Sequence, residues 1–356
     1  MNSLVLLIVL PLLSAFLLPI LNRQFKLLAY WTGPVILLLT ITLGLAAWPQ
    51  VVQQPYSLAI GGFRPPLGIV LYIDQLSLLF ALAVHIGSLL LWIAWDKQQN
   101  ANRRRVLTLI LVGAGSGLVL SGDLFNIYVF YELLAVASYG LVIQDGKSAS
   151  YVAAIRYLLI NAFGAAMILI GIALIYGQTG TLNLAQLSQQ AAQLDNATGQ
   201  AAFIMMLVGF GVKAELFAVN TWVPEVYATA SKRVSALLAG VVSKLSLLVI
   251  LRLLVMLFPH PDNYQVLLVL GVLGVVTGEL AAWRSLDLSR MLAYSSIAQL
   301  GMVFIAFSIP GEAGIVAGLA IALHHMITKP GLFLLAHRWG GAISGLAGVA
   351  ARAPMA

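Results

Sequence analysis

Apolar residues in this sequence gather in long runs separated by short polar breaks. About eleven such stretches, at 3–21, 28–48, 73–95, 106–121, 123–143, 155–176, 201–222, 234–258, 265–283, 291–309 and 313–338, approach or reach the length at which a helix crosses a bilayer. Two connections, 49–72 and 177–200, are longer than the rest. In the first, Gly61-Gly62 and Pro65-Pro66 among alternating apolar residues predict an extended or hairpin element. The second carries Leu184, Leu187, Ala191 and Leu194 at helical spacing behind Asn183, predicting a short interfacial helix capped by that asparagine. Gly274-x-x-x-Gly278 predicts close helix contact. Gly113-Ala114-Gly115-Ser116-Gly117 has the wrong spacing for a nucleotide loop and lies inside an apolar run.

The pattern predicts an all-α, polytopic membrane protein held in a lipid bilayer. Composition strengthens it: of 356 residues 61% are hydrophobic and 9% charged, with a mean hydropathy of +0.98. No polar stretch is long enough for a separate soluble domain, which excludes soluble enzymes and nucleic-acid binders. The formal charge of +7 reports orientation rather than an anionic partner. Arg23, Lys26, Lys97, Arg103, Arg104, Arg105, Lys147, Arg156, Lys232, Arg233, Arg284, Arg290, Arg338 and Arg352 fall at alternate loops or span ends on one side, and Arg64 on the other. The positive-inside rule then predicts an N-terminus outside and a cytoplasmic C-terminus, in the cell's inner (plasma) membrane. Met1-Asn2-Ser3 lacks the positive region of a secretory signal, so the first run reads as a retained helix. With no cysteine there is no disulfide, thiolate metal site or iron–sulfur ligation, and no metal or cofactor is expected.

Candidate chemistry lies in the charges within spans: Lys213, Lys244, Arg252 and Lys329, with Glu132, Glu215, Glu279, His85, His324 and His325. A charge at the bilayer centre costs at least ~2.5–3.5 kcal/mol, so such a series is paired or hydrated, and an ion path is the reading it favours over helix packing. Arg252 reads equally as a packing contact, and Asp123 and Asp287 as helix-terminus residues. His325 and Lys329 share one helix face, next to Pro330, which predicts a broken helix beside two titratable groups. The seventh run is interrupted at Lys213 and Glu215 and closed by Pro224, predicting irregular or hydrated helix there.

Three stretches carry a resemblance. Gly122-Asp123-Leu124-Phe125-Asn126-Ile127-Tyr128-Val129-Phe130-Tyr131-Glu132, the segment from Gly209 through Lys213, Trp222-Val223-Pro224 and Val234-Ser235-Ala236 to Lys244, and Asp287-Leu288-Ser289-Arg290-Met291-Leu292-Ala293-Tyr294-Ser295-Ser296 are similar to segments of a proton-translocating, antiporter-like family. That family is shared by respiratory complex I, membrane-bound hydrogenases and multi-subunit Mrp-type cation/proton antiporters. Asp123-Leu124-Phe125-Asn126 and Thr179-Gly180-Thr181-Leu182-Asn183 most resemble the D-type branch of the Mrp antiporter membrane subunits. The resemblance implies about fourteen helices with two inverted five-helix repeats. Here 1–105 would hold helices one to three, 106–258 the complete first repeat, and 259–356 part of the second, with Ser344 to Pro354 similar to the linker before the family's broken twelfth helix.

By the same resemblance Glu132 and Lys213 form a gate, and Lys244, His325 and Lys329 are successive proton stations, with Glu215, His324 and Arg252 as accessory groups. Where relatives carry histidines beside the seventh-helix tryptophan, this chain has Asn220 and Tyr227, and Glu215 replaces a small residue. The implied partners are protons, a monovalent cation such as Na+, and other membrane subunits. A redox-driven proton-translocating subunit, as in NADH-quinone oxidoreductase or a membrane-bound hydrogenase, and a non-transporting assembly subunit remain alternatives. The first of these would belong to an enzyme without carrying its redox site.

Overall fold

A computed structural model describes residues 2–63, 68–93 and 101–349. Arg64, Lys97 and Arg352, used above for orientation, and Pro65-Pro66 and the end of the linker lie outside the described residues. The helices are α1 (Leu6–Gln24), α2 (Lys26–Gln53), α3 (Gln75–Ile93), α4 (Ala101–Leu120), α5 (Leu124–Val142), α6 (Ser148–Thr179), α7 (Leu184–Gln189), α8 (Ala197–Lys213), α9 (Val223–Thr229), α10 (Lys232–Leu237), α11 (Ser243–Arg252), α12 (Pro261–Arg284), α13 (Leu288–Phe307) and α14 (Glu312–Trp339).

Nine helical stretches among the described residues are long and apolar enough to cross a membrane. The other two predicted spans are α4, whose start carries Arg103, Arg104 and Arg105, and α8, whose 17 residues make it shorter. Helices overrun the apolar runs because the backbone ladder continues into the headgroup zone. The polytopic helical fold read from the sequence is the fold observed, with one short hairpin.

At the centre runs Lys232–Leu257, the one candidate span whose apolar window is entirely buried. It packs against α3, α4, α8 and α14. Helices α2 and α12 expose most of their apolar surface, as lipid-facing helices do. The central span is not uniform: wider π turns at Leu238–Val242 and Leu253–Leu257 flank α11. Here the structure corrects an expectation, since α14 passes through Pro330 as one helix. A proline ring needs room and removes one backbone hydrogen bond. The room comes from the neighbouring π turn, where Gly240 faces the ring so closely that a Cβ would lie 2.3 Å from Pro330 Cγ.

The longer connections form a hairpin and a short capped helix as predicted, except that α7 stops at Gln189 and Ala191–Leu194 follows as a separate 3-10 turn. β1 (Tyr56–Ala59) and β2 (Val70–Ile73) make an antiparallel hairpin, and Asn183 caps α7 by accepting from the Gln186 amide at 3.2 Å. Gly278 of the small-residue motif lies against α13, where an added Cβ would sit 2.8 Å from the Ala298 nitrogen. Asp123 and Asp287 are N-caps. Each cap sits in a backbone clip. Leu124 and Leu184 amides bond Leu182 and Gly122 carbonyls at 3.0 and 2.9 Å, and Leu288 and Ile343 amides bond Gly341 and Leu286 carbonyls at 2.9 Å. In both cases the start of a helix is tied to the segment following the next long helix, so the pairs α5/α6 and α13/α14 are built alike.

Candidate functional site

Lys213, the last residue of α8, is 1% exposed. Its ammonium donates to Asn161 Oδ1 on α6, and the Asn161 amide in turn donates to Glu132 Oε1 on α5 at 3.4 Å. The two expected gate residues are thus brought together by an intermediate side chain rather than by a direct ion pair. Asn161 was not foreseen, although a lone asparagine inside the apolar run Leu158-Leu159-Ile160 to Ala162-Phe163 is a signal of the same kind as a buried charge. Aromatic rings complete the enclosure: Lys213 Nζ lies 4.3 Å from the ring centre of Tyr131, 5.4 Å from Tyr157 and 6.0 Å from Tyr139. Their quadrupoles favour the cation without supplying a counter-charge that would hold its proton permanently. The Tyr131 hydroxyl donates to the Gly209 carbonyl at 2.9 Å, which fixes that ring against α8.

Beyond Lys213 the helix stops, as the interrupted run predicts. Glu215 and Ala218 take left-handed backbone angles, φ 59° and 79°, before α9 begins. The turn is held by the Leu216 amide bonding the Gly211 carbonyl at 2.9 Å, by Asn220 Nδ2 on the Glu215 carbonyl at 3.2 Å, and by Trp222 Nε1 on the Val212 carbonyl at 2.9 Å. Trp222 stacks on Tyr157 with centroids 4.0 Å apart and meets Tyr227 edge-on at 5.9 Å. An aromatic ladder therefore leads from Lys213 to Tyr227.

On the far side of the ladder lies a second group. Lys244 on α11 is fully buried and donates to the Ala239 carbonyl of the adjoining π turn, to Ser243 Oγ at 3.0 Å, and to His325 Nδ1 on α14. The other ring nitrogen of His325 meets Ser296 Oγ of α13 at 3.2 Å. One turn along α14, Lys329 donates to the Leu292 carbonyl at 3.1 Å and to Ser295 Oγ at 2.9 Å. Glu215 accepts from the Tyr227 hydroxyl at 2.7 Å and stands within electrostatic reach of Lys244 and Lys329. Toward the basic face a polar cavity of about 760 Å³ opens beside α10, lined by Asp145, Lys232, Asp287, Ser289 and Arg338 among others.

The remaining residues fall elsewhere. Arg252 binds Asp74 at 2.7 Å and the Val119 carbonyl at 3.2 Å, tying the central span to the end of the hairpin. His324 and Glu279 lie on exposed faces of α14 and α12. His85 is buried on α3 with Nδ1 on the Ala81 carbonyl at 2.8 Å.

This arrangement, amines inside a helical bundle beside a broken helix, is matched by a family model over residues 121–345. The chain belongs to the NADH:quinone oxidoreductase/Mrp antiporter transmembrane family. It is a multi-pass membrane subunit of that family. It is 30% identical over 345 residues to the D-type subunit of an Na(+)/H(+) antiporter of Bacillus subtilis, covering 94% of this chain and 70% of the relative. It is 33% identical over 294 residues to the N-type subunit of an NADH-quinone oxidoreductase of Desulforudis audaxviator, covering 80% of this chain and 58% of the relative. Its backbone superposes with a TM-score of 0.91 and 31% identity on a chain of the membrane-bound sulfane sulfur reductase, an archaeal respiratory membrane complex, covering 97% of this chain and 74% of that one.

Proposed function

We propose that this chain is the membrane subunit of a multi-subunit Mrp-type antiporter that exchanges protons for a monovalent cation, with Na+ as the cation. Protons move along Glu132, Lys213, Lys244, His325 and Lys329, in the plasma membrane, with the N-terminus outside. The observation that carries the reading is chemical. Three lysine amines and a histidine are buried on three spans, and their hydrogen-bond partners are amide, hydroxyl, carbonyl and imidazole groups. A lysine held by neutral acceptors can give up its proton without stranding a bonded carboxylate. Likeness to a membrane subunit of an Na(+)/H(+) antiporter supports the choice of exchange as the task.

In this mechanism Asn161 relays between Glu132 and Lys213, so a change in the carboxylate's charge is felt by the amine across one amide. The proton released from Lys213 passes to the second group, where the Lys244–His325 contact joins the central span to α14. No covalent bond to a substrate forms at any step.

The test is exchange by the assembled complex in proteoliposomes. An imposed Na+ gradient should drive proton flux without any redox substrate, and the flux should vanish in Lys213→Ala. The likeness to a subunit of NADH-quinone oxidoreductase favours a second reading, in which electron transfer drives the same row. Proton flux that appears only with an electron donor and acceptor would select it. Orientation is tested by single cysteines labelled with an impermeant reagent: positions in 284–290 should be protected in intact cells and positions in 177–200 labelled.

A further inference from the structure

Glu215 is two residues from Lys213 in sequence yet faces the other side of the aromatic ladder. Its side chain is 1% exposed. One carboxyl oxygen accepts from Tyr227, while the other, Oε2, is buried and has no hydrogen-bond partner. Such an orphaned buried acceptor is costly unless it is used. The surroundings show a use. Ser296 of α13 stands beside the carboxyl, and its hydroxyl also meets His325 Nε2, whose opposite nitrogen meets Lys244. Titratable groups act on Glu215 from several packed elements: Tyr227 on α9, Tyr157 on α6, Lys244 on α11 and Lys329 on α14, with His325 reached only through Ser296 and Lys244. Lys213 precedes it on α8.

Resting on the exchange function proposed above, we propose that Glu215 is a proton-accepting station at the junction of the two groups, joined to Lys244 through His325 and Ser296. In the step, a proton leaves the Lys244 ammonium for His325 Nδ1. The proton on His325 Nε2 moves to the Ser296 oxygen, and the original Ser296 proton moves to Glu215 Oε2. An ammonium and a carboxylate become an amine and a carboxylic acid, so the net charge of the compartment is unchanged. The return of a proton from Glu215 restores the starting state. The left-handed turn serves this task by directing the side chain at residue 215 away from the Lys213 enclosure while the backbone stays continuous with α8.

The test compares variants of the assembled, reconstituted complex, with assembly checked by gel filtration and exchange measured across a pH series. Glu215→Gln keeps the size and the oxygen facing Tyr227 but cannot carry a proton, and it should lower exchange about ten-fold or more. Glu215→Asp should retain exchange with a displaced pH profile. Lys213→Ala, measured in parallel, should abolish exchange. If Lys213→Ala is inactive while Glu215→Gln exchanges at the full rate with an unchanged pH profile, the station is overturned and the exchange function stands. If both variants exchange at the full rate, the proton row through Lys213 falls and the station with it; if the parental complex shows no exchange, the exchange function itself falls. Should Glu215→Gln fail to assemble, the aspartate variant decides: an unshifted profile assigns Glu215 to packing alone.

Discussion

Two of the buried arginines, Arg104 and Arg252, are held differently from the buried lysines, whereas buried Arg105 meets the neutral Asn102 and the Tyr30 ring. Arg104 and Arg252 bind Asp145 and Asp74 directly, at 2.6 and 2.7 Å, and the more exposed Arg156 binds Glu225. Lys213, Lys244 and Lys329 have no such direct partner in the ion pairs found among the described residues, and their ammonium groups are bonded to neutral atoms. Arginine keeps its charge at any accessible pH, so a carboxylate beside it is a permanent match. Lysine can lose its proton, and a neutral acceptor suits either state better than a carboxylate would. The difference separates charges that hold helices together from charges available for transport, which counting buried ionisable groups does not.

The sharpest way to break this comparison is to exchange the two side-chain types. Lys213→Arg keeps the positive charge but cannot release a proton, so it should lose exchange as fully as Lys213→Ala, on the order of 10²–10⁴-fold, the scale of a lost proton-transfer group. Normal exchange by the arginine variant would show that charge alone suffices. Arg252→Ala leaves Asp74 half-buried without its partner and should destabilise the protein by about 3 kcal/mol, read as a lower midpoint of thermal unfolding in detergent. Arg252→Lys, which preserves the charge, should keep exchange near the parental rate, and a loss as deep as that of Lys213→Ala would place Arg252 on the proton route. Asn161→Leu removes the link between Glu132 and Lys213 at similar volume, with an expected loss of about ten-fold, roughly the 1–2 kcal/mol of a buried hydrogen-bonded contact. An unaltered rate in that variant would mean the carboxylate and amine act independently. Arg156→Ala breaks a pair whose arginine side chain is 58% exposed and should change stability by less than about 1 kcal/mol, because solvent screens it.

Most of the architecture was legible because lipid leaves the chain few choices: a long apolar run must be a helix, and basic residues mark its ends. The same rule exposed Glu132, Lys213, Lys244, His325 and Lys329 as anomalies, and all but the half-buried Glu132 are buried. Asn161 escaped because it is neutral, and Ser295 and Ser296 because serine is common in membrane helices. The partner of Arg252 was hidden for another reason. Asp74 sits at the end of the hairpin, far away in sequence, and only the folded chain brings it to the central span. Pro330 misled because the consequence of a proline depends on its neighbour, and Gly240 lies on a different helix.

The amide of Asn161 is polarised, with its oxygen toward an amine and its nitrogen toward a carboxylate. While both neighbours are charged, half a turn about the amide would set donor against donor and acceptor against acceptor, so the group is locked. Neutralise either neighbour and one of those opposing contacts disappears, which lowers the cost of the half turn. The preferred orientation of this side chain is thus tied to the ionisation of two residues that do not touch. Its labelled amide resonance gives a single-site record of each change of state without any flux being measured.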